Sequence, residues 1–253
     1  MKKKIIRYLL FFLLFLLLLF ILFDSYPYTT KEDKIYLQAF LKDWKVSETP
    51  DSVHRSFEKE IEFISRIQDS VINQIRHEKI PYDSANFIKY YYEKRKGFCY
   101  NRSILMEKIF DLYKFQFRHA YVYYYNSTAV SSLDILRRGI SSHAILELKT
   151  KKGWMIVGSK SNWLGMQEDG SVMSLSVLKK KLMQGQLKLN KTPTISHPFY
   201  FEVESASKYK FIYGLYSRHG RFLKSRPVEK IMNSMGIPSF LPDYNIRMLL
   251  YNF

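Results

Sequence analysis

Gly97-Phe98-Cys99-Tyr100-Asn101-Arg102-Ser103 carries the one cysteine of a 253-residue chain. Behind it, Leu105, Ile109 and Leu112 recur at i, i+4 and i+7, the period of a helix with one apolar face. The spacing predicts a helix that opens at Cys99, with the thiol in its first turn. Phe117-Arg118-His119-Ala120-Tyr121-Val122-Tyr123-Tyr124-Tyr125 follows, aromatic and β-branched enough for a strand. After a loop from Asn126 to Gly139, the runs Ala144-Ile145-Leu146-Glu147-Leu148 and Trp154-Met155-Ile156-Val157 read as strands joined by a turn at Lys151-Lys152-Gly153. Further strands are expected at Phe199-Tyr200-Phe201-Glu202-Val203 and Tyr209-Lys210-Phe211-Ile212-Tyr213.

Upstream of Gly97, Phe57, Ile61, Ile64, Val71 and Ile75 fall at helical spacings with charges between them. This predicts a long amphipathic helix, with Asp51 or Ser52 as its cap and a break at Ile80-Pro81-Tyr82-Asp83. Helices come first and strands afterwards, so the class is α+β rather than alternating βαβ. Residues 53–253 are read as one domain with a C-terminal extension. Residues 24–52 are read as a stalk or linker packing partly on the domain, with a short helix at Ile35 to Leu41.

The first 23 residues stand apart. Residues 1–4 are a basic tip containing Lys2, Lys3 and Lys4; Arg7 follows, and Tyr8 to Phe23 carries no charged side chain. A helix from Ile5 to Phe23 is roughly 28 Å long at ~1.5 Å per residue, close to the ~30 Å hydrocarbon core of a bilayer. Leu22-Phe23-Asp24-Ser25-Tyr26-Pro27 offers no pair of small residues for a signal peptidase. Residues 5–23 are therefore read as an uncleaved transmembrane anchor rather than a cleaved signal. The positive charges before the span put the amino terminus in the cytoplasm and the domain on the extracytoplasmic side, in a periplasm or at a cell surface.

The formal net charge of +17 suits an anionic neighbour. With an outward-facing domain, phospholipid head groups or acidic envelope polymers fit better than nucleic acid. Scattered lysines that merely solvate the surface are the plainer explanation. No zinc-ligand spacing, phosphate-cradling glycine loop or Gly-x-Ser-x-Gly elbow is present, so neither a metal nor a cofactor is expected.

The chemistry centres on Cys99. A thiolate is the nucleophilic form, and a helix start with a nearby imidazolium favours it. The same helix-start amides can hold the oxyanion of a tetrahedral intermediate. His143, in Ser141-Ser142-His143-Ala144-Ile145, enters an apolar strand and needs a partner for a ring nitrogen; Cys99 is one candidate and a backbone carbonyl another. His54, His77, His119, His197 and His219 have no comparable sequence context. Tyr213 to Phe222, which holds Arg218 and Arg221, concentrates basic and aromatic residues that could clamp an anionic polymer or stand as a packed loop with solvated arginines.

In their order, Gly97-Phe98-Cys99, Arg118, His143-Ala144 with Glu147, Gly153-Trp154, and then Asp169-Gly170-Ser171 before Ser174-Leu175 resemble the transglutaminase-like superfamily, with its papain-like cysteine core. The resemblance covers about residues 57 to 185. It implies a core of N-terminal helices followed by an antiparallel sheet, with Cys99 as nucleophile and His143 as base. The family's aspartate position is occupied by Gly158. Ser159 and Asn162 are the alternatives for orienting the imidazole, with Asn162 favoured.

Two functions follow as expectations. One is a membrane-anchored bacterial envelope protein that hydrolyses or transamidates peptide or amide bonds through Cys99 and His143. The other is a catalytically inactive relative that binds peptide or an anionic envelope polymer or glycan in the old cleft. A thiol that pairs with another chain is a third, lesser idea.

Overall fold

A computed structural model describes residues 2–23, 29–78, 80, 88–124, 141–184, 209–213, 217–218 and 221–222. The loop expected at 126–139 and the strand expected at 199–203 lie outside the described residues, as does most of the break after Ile80. Helix α1 (Lys2–Phe23) is 22 residues long, and its described apolar side chains from Ile5 to Phe15 are exposed. The side chains of 16–23 are outside the described set. Among the described residues, no helix is long and apolar enough to cross a membrane.

Helix α2 (Lys31–Asp43) opens with a reciprocal cap: the Asp33 amide donates to Thr30 Oγ1 at 3.1 Å, and the Thr30 amide donates to the Asp33 carboxylate at 2.9 Å. Its Leu37 and Phe40 are fully buried. The segment read as a stalk thus supplies part of the core. Helix α3 (Pro50–Val53) is a single turn in which Thr49 and Ser52 cap each other. Those groups are consequently not available to α4 (Phe57–Gln74), which starts at Ser56, its hydroxyl accepting from the Lys59 amide. The expected cap at Asp51 or Ser52 is corrected to Ser56 for that reason.

Helix α5 (Ile88–Lys94) precedes α6 (Cys99–Leu112), and α6 is buried almost all round because it lies between the sheet and helices α2, α4 and α5. Leu105, Ile109 and Phe110 are completely enclosed, each burial contributing ~1.5–3 kcal/mol. Strands β1 (Phe117–Tyr124), β2 (Ser141–Thr150), β3 (Gly153–Val157) and, after α7 (Leu175–Met183), β4 (Tyr209–Tyr213) make one antiparallel sheet in the order β3-β2-β1-β4. Two-residue strands β5 (Ser217–Arg218) and β6 (Arg221–Phe222) pair as a separate ribbon within the basic, aromatic run. The fold is α+β.

The sheet separates two cores. Tyr121, Tyr123, Ala144, Leu146, Leu148, Met155 and Val157 pack with the helical layer. Ala120, Val122, Ile145 and Ile156 pack instead with Leu175, Leu178 and Leu182 of α7. This is the alternation of a sheet buried on both faces. A short turn returns the chain from α6 into β1, so the two run in opposite directions. The start of α6 therefore lies toward the end of the sheet where β2 begins.

Candidate functional site

Cys99 is the first residue of α6, preceded by Phe98 in an extended conformation (φ −81°, ψ −176°). A phenylalanine offers no side-chain acceptor, so no side-chain cap covers this helix start. Asn101 fixes the entry instead: its Oδ1 accepts from the Phe98 amide at 2.8 Å, and its Nδ2 donates to the Tyr91 hydroxyl at 3.0 Å. Gly97 is required by this fold-back, because a Cβ there would stand 2.7 Å from Asn101 Cβ. The Gly97 amide also donates to the Arg76 carbonyl at 2.9 Å. The Gly-x-Cys pattern is thus first a way of starting α6 against the end of α4.

One turn on, Arg102 is buried and holds α4 from below. Its Nε donates to the Ile75 carbonyl at 2.9 Å, and its terminal nitrogen donates to the Ile72 carbonyl at 3.1 Å and also to Ile75. The guanidinium stands where the last carbonyls of a helix gather negative potential. Burial pulls its pKa down, and the negative form of Cys99 works in the opposite direction. That electrostatic link runs both ways: a charged guanidinium in range of Cys99 favours the thiolate.

His143 lies near the start of β2, opposite Val122, and is 4 % exposed. Burial, with Lys160 and His77 as further positive neighbours, pushes its pKa down to about 3. The imidazole is neutral at physiological pH and is therefore a proton acceptor rather than a resting cation. Ala144, Leu146 and Leu148 face the helical layer, whereas Ile145 faces α7, and His143 has the parity of Ile145. Any meeting of thiol and imidazole is accordingly made around the end of the sheet, where α6 begins, and not across its face.

His77, which has no distinctive sequence context, also stands at this end. Its ring packs edge-on against Phe98, centroids 5.0 Å apart, directly before the cysteine. The Arg76–Lys96 bridge brings the end of α4 beside the approach to α6 and so delivers His77. That bridge is a long-range pairing with no local pattern to betray it.

Gly158, where the resemblance leads one to expect an aspartate, has a clear physical setting. Gly158 follows β3, and a Cβ there would lie 3.0 Å from the Ser161 carbonyl oxygen and 3.2 Å from that of Trp163. The chain turns back over this spot, the Gly158 amide donating to the Trp163 carbonyl at 2.9 Å. Gln68 of α4 closes it: its side-chain amide nitrogen, Nε2, donates to the carbonyls of Gly158, Ser161 and Trp163 at 2.9, 3.3 and 2.8 Å. The Ser159 hydroxyl is buried and donates to the Ala144 carbonyl at 2.5 Å. Asn162 is exposed, its Nδ2 donating to Asp69 of α4 at 2.5 Å. The structure thus ties Asn162 to α4 and Ser159 to the backbone of β2.

Arg118, Glu147 and Trp154 form a brace. The Arg118 guanidinium lies over the Trp154 ring at 3.7 Å and 3.8 Å from Glu147, whose other oxygen accepts from the first amide of α7 at 2.6 Å. They join β1, β2, β3 and α7. Deeper still, His119 and Glu107 pair completely buried between β1 and α6.

Comparison with models of known protein families and with curated proteins gave no match. The reading of the site therefore rests on its own geometry. A shallow depression on α4, lined by Glu62, Arg66, Asp69 and Asn73 among others, includes neither Cys99 nor His143. Among the described residues no group of three or more His, Cys, Asp or Glu could hold a metal ion. What the arrangement offers is a thiol at a helix start, a guanidinium in electrostatic range of it, and a neutral buried imidazole at the same end of the sheet.

Proposed function

We propose that the chain is a membrane-anchored, transglutaminase-like cysteine protein that acts on amide or peptide bonds through Cys99 and His143. The observation that carries this is the neutral His143 at the end of the sheet where α6 presents Cys99. A neutral imidazole accepts the thiol proton as the sulfur attacks the carbonyl carbon. The tetrahedral intermediate collapses to a thioester, the amine leaving with the proton that the imidazolium returns. Water or a second amine then breaks the thioester and frees the thiol. The first turn of α6 and Arg102 stabilise the negative charge on sulfur. The exposed apolar side chains of α1 from Ile5 to Phe15 support the anchor. The domain then lies outside the cytoplasm, where peptide or anionic envelope polymer is at hand.

The test is release of amine or ammonia from peptide and glutamine-bearing substrates by the full chain in detergent micelles. Release that disappears in Cys99→Ala supports the proposal, and release that survives it contradicts the proposal.

A specific observation favours a second reading, an inactive module that binds peptide or anionic glycan. The aspartate position is sealed by the 158–163 turn and Gln68, and the two candidate replacements have other partners. Loss of the orienting carboxylate in a serine-protease triad costs ~10⁴ in turnover. Retained binding of an envelope polymer with no amide turnover, unchanged by Cys99→Ala, would establish this reading in place of the first.

A further inference from the structure

Three features near His143 and the start of α6 bear on what the site accepts. β2 and β3 are paired as far as Leu146 and Val157, but the Ser159 hydroxyl bond to the Ala144 carbonyl holds the chain against β2 beyond that point. Extending the same register, Lys160 emerges beside His143, and it is exposed. Among the described residues no carboxylate forms an ion pair with Lys160, whereas the neighbouring Arg76 and Lys96 both face Glu78, at 3.2 and 3.9 Å. On the other side His77 is exposed and leans on Phe98 at 5.0 Å. Behind them Arg102 is fixed to the end of α4. Burial is the main cause of the depressed pKa of His143, and Lys160 and His77 are positive neighbours that add to it.

We propose that Lys160, with His77 beside it, forms a positively charged rim over the Cys99–His143 site and that the site selects amide substrates carrying a carboxylate near the scissile bond, such as an acidic peptide. This deepens the catalytic reading given above and rests on it. Lys160 is a specificity-determining residue in this account, since a flexible ammonium beside the site attracts and steers a carboxylate without taking part in the bond changes. Charge-driven selection of this kind weakens as salt screens it, over a Debye length of ~10 Å at 0.1 M.

The experiment is a comparison of Cys99 alkylation by iodoacetate and by iodoacetamide, reagents of similar size that differ in charge, on the full chain in uncharged detergent micelles at low salt. Both form a carbon–sulfur bond with loss of iodide. The rate ratio of the anionic to the neutral reagent should exceed that of the same chain in denaturant about three- to tenfold. Lys160→Glu should bring the ratio down to or below the denatured value; Lys160→Gln should fall between, and added salt should erase the wild-type excess. A ratio equal to the denatured one, or indifferent to Lys160→Glu, overturns the rim. If that occurs while iodoacetamide labelling still slows on removal of His143, the catalytic pair survives and only the rim fails. A thiol slow toward both reagents and indifferent to His143 overturns both.

Discussion

Gly158 shows how one missing side chain reports on its surroundings. The position is not an aspartate site left vacant, because the carbonyls of Ser161 and Trp163 occupy the space a side chain would need. Gly158→Asp is therefore expected to destabilise the protein by about 1–3 kcal/mol and to restore no activity, read as a lower urea midpoint. A stable Gly158→Asp variant with increased turnover would contradict the packing described. His143 makes a second prediction at this scale. Its folded pKa of about 3 lies below the unfolded value of 6.5, so below pH 6.5 the unfolded chain takes up the proton first. The contribution of this group is complete above pH 6.5 and is lost as pH falls from there toward about 3, with a slope approaching ~1.4 kcal/mol per pH unit. Denaturant titrations at several pH values should show that slope, and His143→Phe should lack it. An identical acid profile in the two proteins would mean that the imidazole is solvated.

The elements were largely legible in the sequence because their periods are strong. The apolar spacing from Phe57 to Val71 gives α4, the run after Cys99 gives α6, and the aromatic and β-branched stretches give β1, β2, β3 and β4. The positions of Cys99 on a helix start and His143 on a strand were legible for the same reason. What could not be read is whatever depends on pairing between distant elements. Nothing local marks Gln68 as the group that gathers three carbonyls of a turn some ninety residues away, or Arg102 as the cap of α4, or Thr49 and Ser52 as partners that leave α4 to Ser56. His77 belongs to the same category, being delivered by the Arg76–Lys96 bridge. Gln68→Leu keeps the volume but strips three carbonyls of a donor, and it should cost about 2–4 kcal/mol. Hydrogen exchange at the Gly158 amide should rise with it. Unchanged stability would show that the turn is held by other contacts.

For the molecule as a whole, the structure moves the helical layer's edge back to α2. Leu37 and Phe40 are fully buried, Asp33 pairs with Lys108 of α6 at 2.6 Å, and Thr29 donates to Asp111 at 2.6 Å. A chain beginning at Thr29 should fold and stay in solution without detergent, whereas one beginning at Val53 should be destabilised by several kcal/mol through the loss of those core side chains. Circular dichroism melts of the two distinguish this from a free stalk, for which both would melt alike. Only the full chain, with α1, should partition into lipid vesicles. The account stands above all on Cys99 being a nucleophile served by His143, and the rate of Cys99 alkylation by iodoacetamide against pH tests that directly. It expects a reactive thiol at pH 6–7 that His143→Gln slows about tenfold or more, the magnitude ordinary for loss of a general base. Equal rates in the two proteins, rising only near the ~8.5 of a free thiol, would contradict it.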